Sequence, residues 1–516
     1  MLVQDQSAIV AFLKEALRRD ELPVEVIRTH ISIIFLSGDR AYKMKRAVKL
    51  PYVDFSSIEA RLAACHKEIE FNGITAPETY LGVRLITEET IGHYSIDGSG
   101  PTREALVEMR RFDQSALLDN VARSGGLTPQ LINSLAYAIA RYHRGSKVDG
   151  TISGRKAVSL ILEINEAGFA TSNVFSREEV RELTSSFHRS LGSLADILEQ
   201  RGQEGKVRRC HGDLHLRNIF LLNGEPRLFD CIEFNDQIAT SDVLYDLAFL
   251  LMDLWYRSEH ALANRLMNRY FDETDDEEGF ETLPFFLALR AAVRAHVLAT
   301  TATDAQPQQH ENLIKEARSY FQLAGSMLRA KPPRLIAIGG LSGSGKTTLA
   351  EALAPLVGAA PGARIIESDR LRKALHGVPP ETRLPAAAYR PEISAKVYRE
   401  IAWRARLHLK AGGCVVVDGV FDKPRNRKLI EASCNGDERV FQGVWLDADP
   451  ALLRRRVVDR LRGVSDAGIE VLEQQLDHEL GAIEWKRFDA GKPIEVLIDE
   501  ILRPHDEIEE DFDASI

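Results

Sequence analysis

The sequence predicts two domains, an N-terminal α+β domain over residues 1–330 and a C-terminal α/β domain with a mainly parallel sheet over 331–516. Three observations carry this. A chain of 516 residues is too long for one hydrophobic core. Ala330-Lys331-Pro332-Pro333 separates a helical pattern, 311–328, from a new apolar run at 335–338, and paired prolines make a short, stiff connector. Beyond that seam strands and helices alternate, the pattern of a parallel sheet covered on both faces.

Before the seam, 31–36 and 40–48 read as paired strands around the turn Ser37-Gly38-Asp39, and 58–71 and 131–143 read as helices. Segments 219–222 and 227–229 flank Asn223-Gly224, the strongest short hairpin signal. Helices dominate from Val243 to Leu328. After the seam, strands are expected at 335–338, 364–366, 414–417, 440–446 and 494–497. The acidic tail 506–513 reads as solvated.

Composition narrows the function classes. With 66 Lys+Arg against 76 Asp+Glu the net charge is −10, which disfavours a general nucleic-acid binder. Cys65, Cys210, Cys231, Cys414 and Cys434 form no CxxC pair, so neither a zinc site nor a disulfide framework is indicated and a reducing compartment fits. Residues 1–20 lack a long apolar core of the signal-peptide kind. The most apolar stretch, 243–256, is short and carries Asp246 and Asp253, so no membrane partner is expected. The expected location is cytoplasmic.

Gly340-Leu341-Ser342-Gly343-Ser344-Gly345-Lys346-Thr347 fits G-x-x-x-x-G-K-[ST] between a strand and a helix. The glycines let backbone N–H groups wrap phosphate oxygens at a helix N-terminus. Lys346 then reaches the β/γ-phosphates and Thr347 offers its hydroxyl to Mg²⁺. Thr348, next in the helix, is counted with the nucleotide contacts. Pro355 should shorten or bend that helix. Asp418 ends strand 414–417, where a Mg²⁺ carboxylate belongs. Asp369, after the second strand, can take the proton of an acceptor hydroxyl, or simply cap a helix whose surface carries Arg372. Arg454, Arg455, Arg456, Arg460 and Arg462 form either a lid over phosphates or a solvated basic face.

These pieces, with Ser465-Asp466-Ala467, resemble the small-molecule P-loop kinases: gluconate kinase, chloramphenicol phosphotransferase, adenylylsulfate kinase and the kinase domain of polynucleotide kinase. The resemblance implies that Asp369 activates the acceptor hydroxyl, that Arg372 contacts phosphate and that Arg460 senses the transferred group, with other arginines of the same helix competing for the last role.

His211-Gly212-Asp213-Leu214-His215-Leu216-Arg217-Asn218 has the H-x-D-x-x-x-x-N spacing of a kinase catalytic loop. Asp213 would orient or deprotonate the acceptor hydroxyl, Asn218 would ligate Mg²⁺, and His211 would hold the loop. The hairpin brings Asp230, a second metal carboxylate, beside Asn218. This region resembles the aminoglycoside phosphotransferase and choline kinase superfamily, which has a protein-kinase-like fold. The resemblance implies a strand lysine holding the α/β-phosphates and a helix glutamate paired with it. Lys43 and Glu68 match, although Lys45 shares the strand face and Glu70 lies close by. It also implies that Asp242 and Asp246 brace the catalytic loop, with a helix cap as the alternative for Asp242. No glycine-rich phosphate cover is evident between Ile31 and Asp39. Nearly the whole chain resembles bacterial fusions of such a domain with a P-loop kinase domain.

The expectation is therefore an ATP- and Mg²⁺-dependent phosphotransferase for hydroxyl groups of small molecules, with two sites. Its partners would be a nucleoside triphosphate and a small-molecule acceptor. The alternatives are an ATP-binding regulatory protein with a degenerate N-terminal kinase domain, and a polynucleotide 5′-hydroxyl kinase. The sequence names neither acceptor nor oligomeric state.

Overall fold

The computed structural model describes residues 3–18, 23–50, 53–303, 305–434, 440–459 and 465–503. The expected acidic tail and Arg460 and Arg462 lie outside them. The chain divides into two compact units, one of residues 1–171 and 191–253, the other of 172–190 and 254–516. The helices upstream of the double proline thus group with the P-loop region, whereas the sequence reading placed the boundary at 330/331. The physical reason is a dense set of buried side-chain contacts between those helices and the sheet beyond the linker, described below.

In the first unit six antiparallel strands lie in the order Glu25–Arg28, Ser32–Ser37, Arg40–Lys45, Thr102–Arg110, Tyr80–Thr90 and His93–Ile96. Ser37 pairs with Arg40, so the expected hairpin closes through a two-residue turn in which Gly38 takes φ +53°. Helix Ile58–Thr75 starts where the Ser57 hydroxyl accepts the Ala60 N–H at 3.2 Å. It buries Arg61, Ala64, Cys65, Glu68 and Asn72, a run at helical spacing that lays Glu68 on one inward face. The catalytic-loop hairpin pairs Ile219–Leu222 with Glu225–Leu228, and Asn223 and Gly224 both take positive φ. Phe112, Phe220 and Phe229 pack ring to ring around its root.

In the second unit a five-stranded parallel sheet has the order Arg364–Glu367, Cys414–Asp418, Arg334–Gly340, Phe441–Asp447 and Lys486–Asp489. Apolar clusters cover both faces. Four of the expected strands stand. The fifth does not, because Ile494–Leu502 is a helix. Pro493 sets its entry, and Ile494, Leu497, Ile498 and Ile501 recur at helical spacing against the core. The fifth strand is instead Lys486–Asp489, too short and polar to stand out. Gly339 and Gly443 leave room for indoles: a Cβ at either would lie within 3 Å of Trp445 or Trp485 ring carbons.

Helix His260–Thr274 lies along strand Arg364–Glu367, the outermost strand of the sheet. Asn268 Oδ1 accepts the Ile365 N–H at 2.7 Å, and Asn264 Nδ2 donates to the Ala363 carbonyl at 3.0 Å. Glu277 is buried among Arg364 (2.6 Å), Arg404 (2.8 Å) and His408 (2.7 Å). The stretch Glu277–Thr303 is long and apolar enough, by length and composition alone, to cross a membrane; 78% of its apolar window is buried inside the protein, as in a core helix. All five cysteines are buried, and none is in a disulfide.

Candidate active sites

The catalytic-like loop of the first unit is set by helix Val243–Tyr256. Asp246 accepts the N–H groups of His211 (3.1 Å) and Gly212 (2.8 Å) and meets His143 Nε2 at 3.1 Å. Asp253, two turns on, accepts the Leu216 N–H at 3.0 Å. Asp242 does not brace the loop: it takes Arg201 in a two-point pair at 2.7 Å and accepts the Leu244 N–H, which is the capping alternative. Two acids of one helix face therefore hold the loop, and Asp253 was missed because its spacing from the motif carries no local signal. His211 is buried, its Nε2 lies 2.9 Å from the Phe229 carbonyl, and burial pushes its pKa down, which suits the structural role read from sequence.

Asn218 Nδ2 donates to Asp213 at both the backbone carbonyl (2.9 Å) and Oδ2 (2.8 Å), and His215 Nε2 lies 3.4 Å from Asp213. The Phe229 N–H donates to the Asn218 carbonyl at 3.1 Å, closing the hairpin so that Asp230 emerges opposite the loop. Asp230 takes φ +60°, and its N–H donates to the Tyr80 hydroxyl. Lys43 donates to Glu68 at 2.9 Å and to Asp230. Lys45 donates to the other Glu68 oxygen at 2.5 Å and to Glu233. Both lysines left open by the sequence thus share Glu68, while Glu70 is exposed. Against the cost of burial, Lys43 and Lys45 bring the Glu68 pKa down to about 2; burial pushes Glu233 up. Only Lys43 reaches Asp230, which separates the two lysines by position. Glu233 escaped the sequence reading because it lies outside any motif.

The turn Thr29-His30-Ile31, between the first two strands, holds His30 close enough to Asp213 for the carboxylate to raise its pKa against the stronger lowering by burial. This turn contains no glycine.

In the second unit the phosphate-type loop runs from the end of strand Arg334–Gly340 into helix Lys346–Leu353, and Pro355 sits in the 3₁₀ turn that follows, as expected. Gly343 and Gly345 take φ +85° and +89°, and a Cβ on Gly343 would lie 2.8 Å from the Leu453 carbonyl oxygen. Leu341 accepts from Lys346 Nζ at 3.0 Å, the Ser342 N–H donates to Gln475 Oε1 at 2.9 Å, and Ser344 Oγ is buried without a partner. Thr347 donates its hydroxyl to Asp418, and Thr348 is exposed beside it. Burial pushes the Asp418 carboxyl up to about 7; Lys346 and Thr347 oppose this, while Glu367 and Asp369 add to it. A hydroxyl and a crowded, buried carboxylate make an oxygen donor pair suited to a hard cation, which would restore the charged form.

Asp369 and Arg372 lie on helix Ser368–Leu375. Arg372 is buried, stacks over Tyr389 at 4.7 Å and donates to the Ala388 carbonyl at 2.8 Å. Asp466 gathers Lys373 (3.0 Å), the Leu384 N–H (2.9 Å) and the Tyr389 hydroxyl (2.7 Å), tying the segment after residue 464 to helix Ser368–Leu375 and the loop that follows it. Of the described arginines on helix Pro450–Asp459, Arg454 pairs with Glu473 at 2.7 Å, whereas Arg456 Nη1 lies 3.9 Å from where a Gly345 Cβ would stand.

Residues 73–283 match the model of the phosphotransferase enzyme family, and residues 335–482 match that of an AAA domain. An uncharacterized protein of Mycobacterium tuberculosis is 28% identical over 489 residues, covering 92% of this chain and 94% of its own. An adenylyl-sulfate kinase of Aeromonas salmonicida is 28% identical over 196 residues, 37% of this chain and 94% of its own. Among solved structures, a choline kinase from Cryptosporidium parvum aligns with 63% of this chain and 95% of its own (TM-score 0.40, 10% identity). A gluconokinase from Sinorhizobium meliloti aligns with 36% of this chain and all of its own (TM-score 0.25, 23% identity). Two stretches of one polypeptide thus match kinase-like models, 73–283 that of the phosphotransferase enzyme family and 335–482 that of an AAA domain with the P-loop.

Proposed function

We propose that the protein is an ATP- and Mg²⁺-dependent phosphotransferase with two sites, each acting on a hydroxyl group of a small molecule. The observation that carries this reading is that each unit gathers a cation for phosphate and an oxygen donor set for a metal, with an acceptor-side aspartate on a neighbouring element: Lys43, Asn218, Asp230 and Asp213 in one, Lys346, Thr347, Asp418 and Asp369 in the other. In the first unit Asp213, held by Asn218, accepts the proton of the acceptor hydroxyl, and Lys43 steadies phosphate while Glu68 keeps it charged. In the second, the backbone from Gly340 to Thr348 grips phosphate, Asp369 takes the proton, and Arg372 and Arg456 balance charge on the transferring group. Asn218 and Asp230, or Thr347 and Asp418, would hold Mg²⁺, which when bound would neutralise charge at the phosphate oxygens.

The test is transfer of γ-labelled phosphate from ATP to a metabolite extract, with products read by mass spectrometry, for the parent chain, Asp213→Ala, Lys346→Ala and the double variant. Two product sets, each removed by one substitution, are expected. A second reading, a regulatory module whose N-terminal unit only docks a nucleotide, is favoured by the glycine-free turn at Thr29–Ile31 and by the pairing of Lys43 with Asp230. Nucleotide binding that survives Lys346→Ala, with no labelled product from that variant, would decide for it.

A further inference from the structure

The interactions of Arg269 point beyond the motifs. It sits on helix His260–Thr274, more than sixty residues before the P-loop in sequence, and is 5% exposed. One guanidinium nitrogen donates to Glu367 at 2.8 Å and reaches Glu351 at 3.3 Å; the other donates to Asp272 at 2.8 Å. Glu351 lies on helix Lys346–Leu353, the helix that opens from the phosphate loop. Glu367 ends strand Arg364–Glu367 and immediately precedes helix Ser368–Leu375, which carries Asp369 and Arg372. One buried cation therefore ties the nucleotide-side helix to the acceptor-side helix.

We propose that Arg269 is a positioning residue of the P-loop site, fixing the separation between the helix that follows the phosphate loop and the helix that bears Asp369 and Arg372. This rests on the reading of that site as one of phosphoryl transfer. Arg269 touches neither the loop backbone nor Lys346, so its loss acts on alignment more than on nucleotide grip. Displacements on the order of 1 Å between reacting groups cost up to about a hundredfold in rate. The guanidinium is needed for its planar, forked reach to two carboxylates. Its loss does not strand Glu367 without a cation, because Arg370 lies 3.3 Å from the same oxygen, so the variant chain keeps a route to folding.

The experiment uses the full chain carrying Asp213→Ala, with MgATP hydrolysis as the readout and water in the acceptor's place. Arg269→Met is expected to lower kcat at least tenfold while KM for MgATP stays within about threefold. Arg269→Lys should regain part of kcat. Amide exchange should quicken in Ser368–Leu375 and stay unchanged in strand Arg334–Gly340. The proposal is overturned if kcat stays within twofold, if Lys is no better than Met, or if exchange quickens equally in that strand, which would mark general destabilisation. If hydrolysis survives Lys346→Ala in the same background, the P-loop reading itself fails, and the amide-exchange pattern still decides whether Arg269 sets the helix spacing.

Discussion

On the proposed function, the two candidate sites would recognise phosphate with different parts of the polypeptide. In the second unit the grip is built from consecutive backbone, Gly340 to Thr348, and its lysine rests on its own loop through the Leu341 carbonyl. In the first unit it is built from side chains, with Lys43 and Asp230 meeting across 187 residues of chain. A backbone grip needs glycines and a helix start, and little else nearby. A side-chain grip needs an ion lattice, here Lys43, Lys45, Glu68 and Glu233, all buried, with Asp230 at its open edge, in which removing a lysine leaves a carboxylate short of a partner. The lesson is that stability and chemistry are separable in the P-loop unit and entangled in the other.

The largest effect should come from Lys45→Met. It leaves Glu233 without its lysine and Glu68 with one, and breaking such a buried pair costs about 3–5 kcal/mol. Calorimetry should show a first-unit transition lowered by many degrees, whereas Lys346→Met should leave both transitions in place and lose MgATP binding at its own site. Equal melting of the two variants would break the contrast.

Glu277→Gln should destabilise the second unit at neutral pH by a similar order, about 3 kcal/mol, since Arg364 and Arg404 lose their shared carboxylate. Arg364 and His408 hold the Glu277 pKa well below 4.5 against the cost of burial. A depressed pKa contributes stability that is present above 4.5 and disappears as pH falls through the folded-state value. The melting difference between parent and variant should therefore shrink as pH is lowered beneath 4.5, and a difference that grows on acidification would refute the assignment.

Gly343→Ala should weaken MgADP binding at the P-loop about tenfold, because its positive φ and the nearby Leu453 carbonyl both resist a Cβ. Titration calorimetry reads this directly. At the small end, Arg456→Ala should slow P-loop turnover several-fold. Arg454→Ala, which removes only a solvent-facing pair with Glu473, should leave turnover and melting unaltered. Equal losses from the two would mean that the helix acts through its net charge.

The same contrast explains what the amino-acid string made legible. Gly340–Thr347 is contiguous, so its strand, turn and helix could be read in place, and the Asn223-Gly224 hairpin made the relation of Asn218 to Asp230 readable as well. Glu233, Gln475 and Arg269 carry no local pattern and become meaningful only once distant segments pack. The choice between Lys43 and Lys45 could not be made from a strand face that holds both; it needed Asp230 in space. Helix Ile494–Leu502 was mistaken for a strand because a short apolar run fits either period until its length is known.

Strand Arg364–Glu367 ends the parallel sheet, and Asn264 and Asn268 occupy its outer backbone groups with their side-chain amides. A shortened polypeptide starting at the double proline would lose both asparagines and bare that rim. Bare rims recruit further copies into stacked, insoluble assemblies. The asparagine-bearing helix is thus a guard on solubility, and a soluble fragment should begin upstream of it.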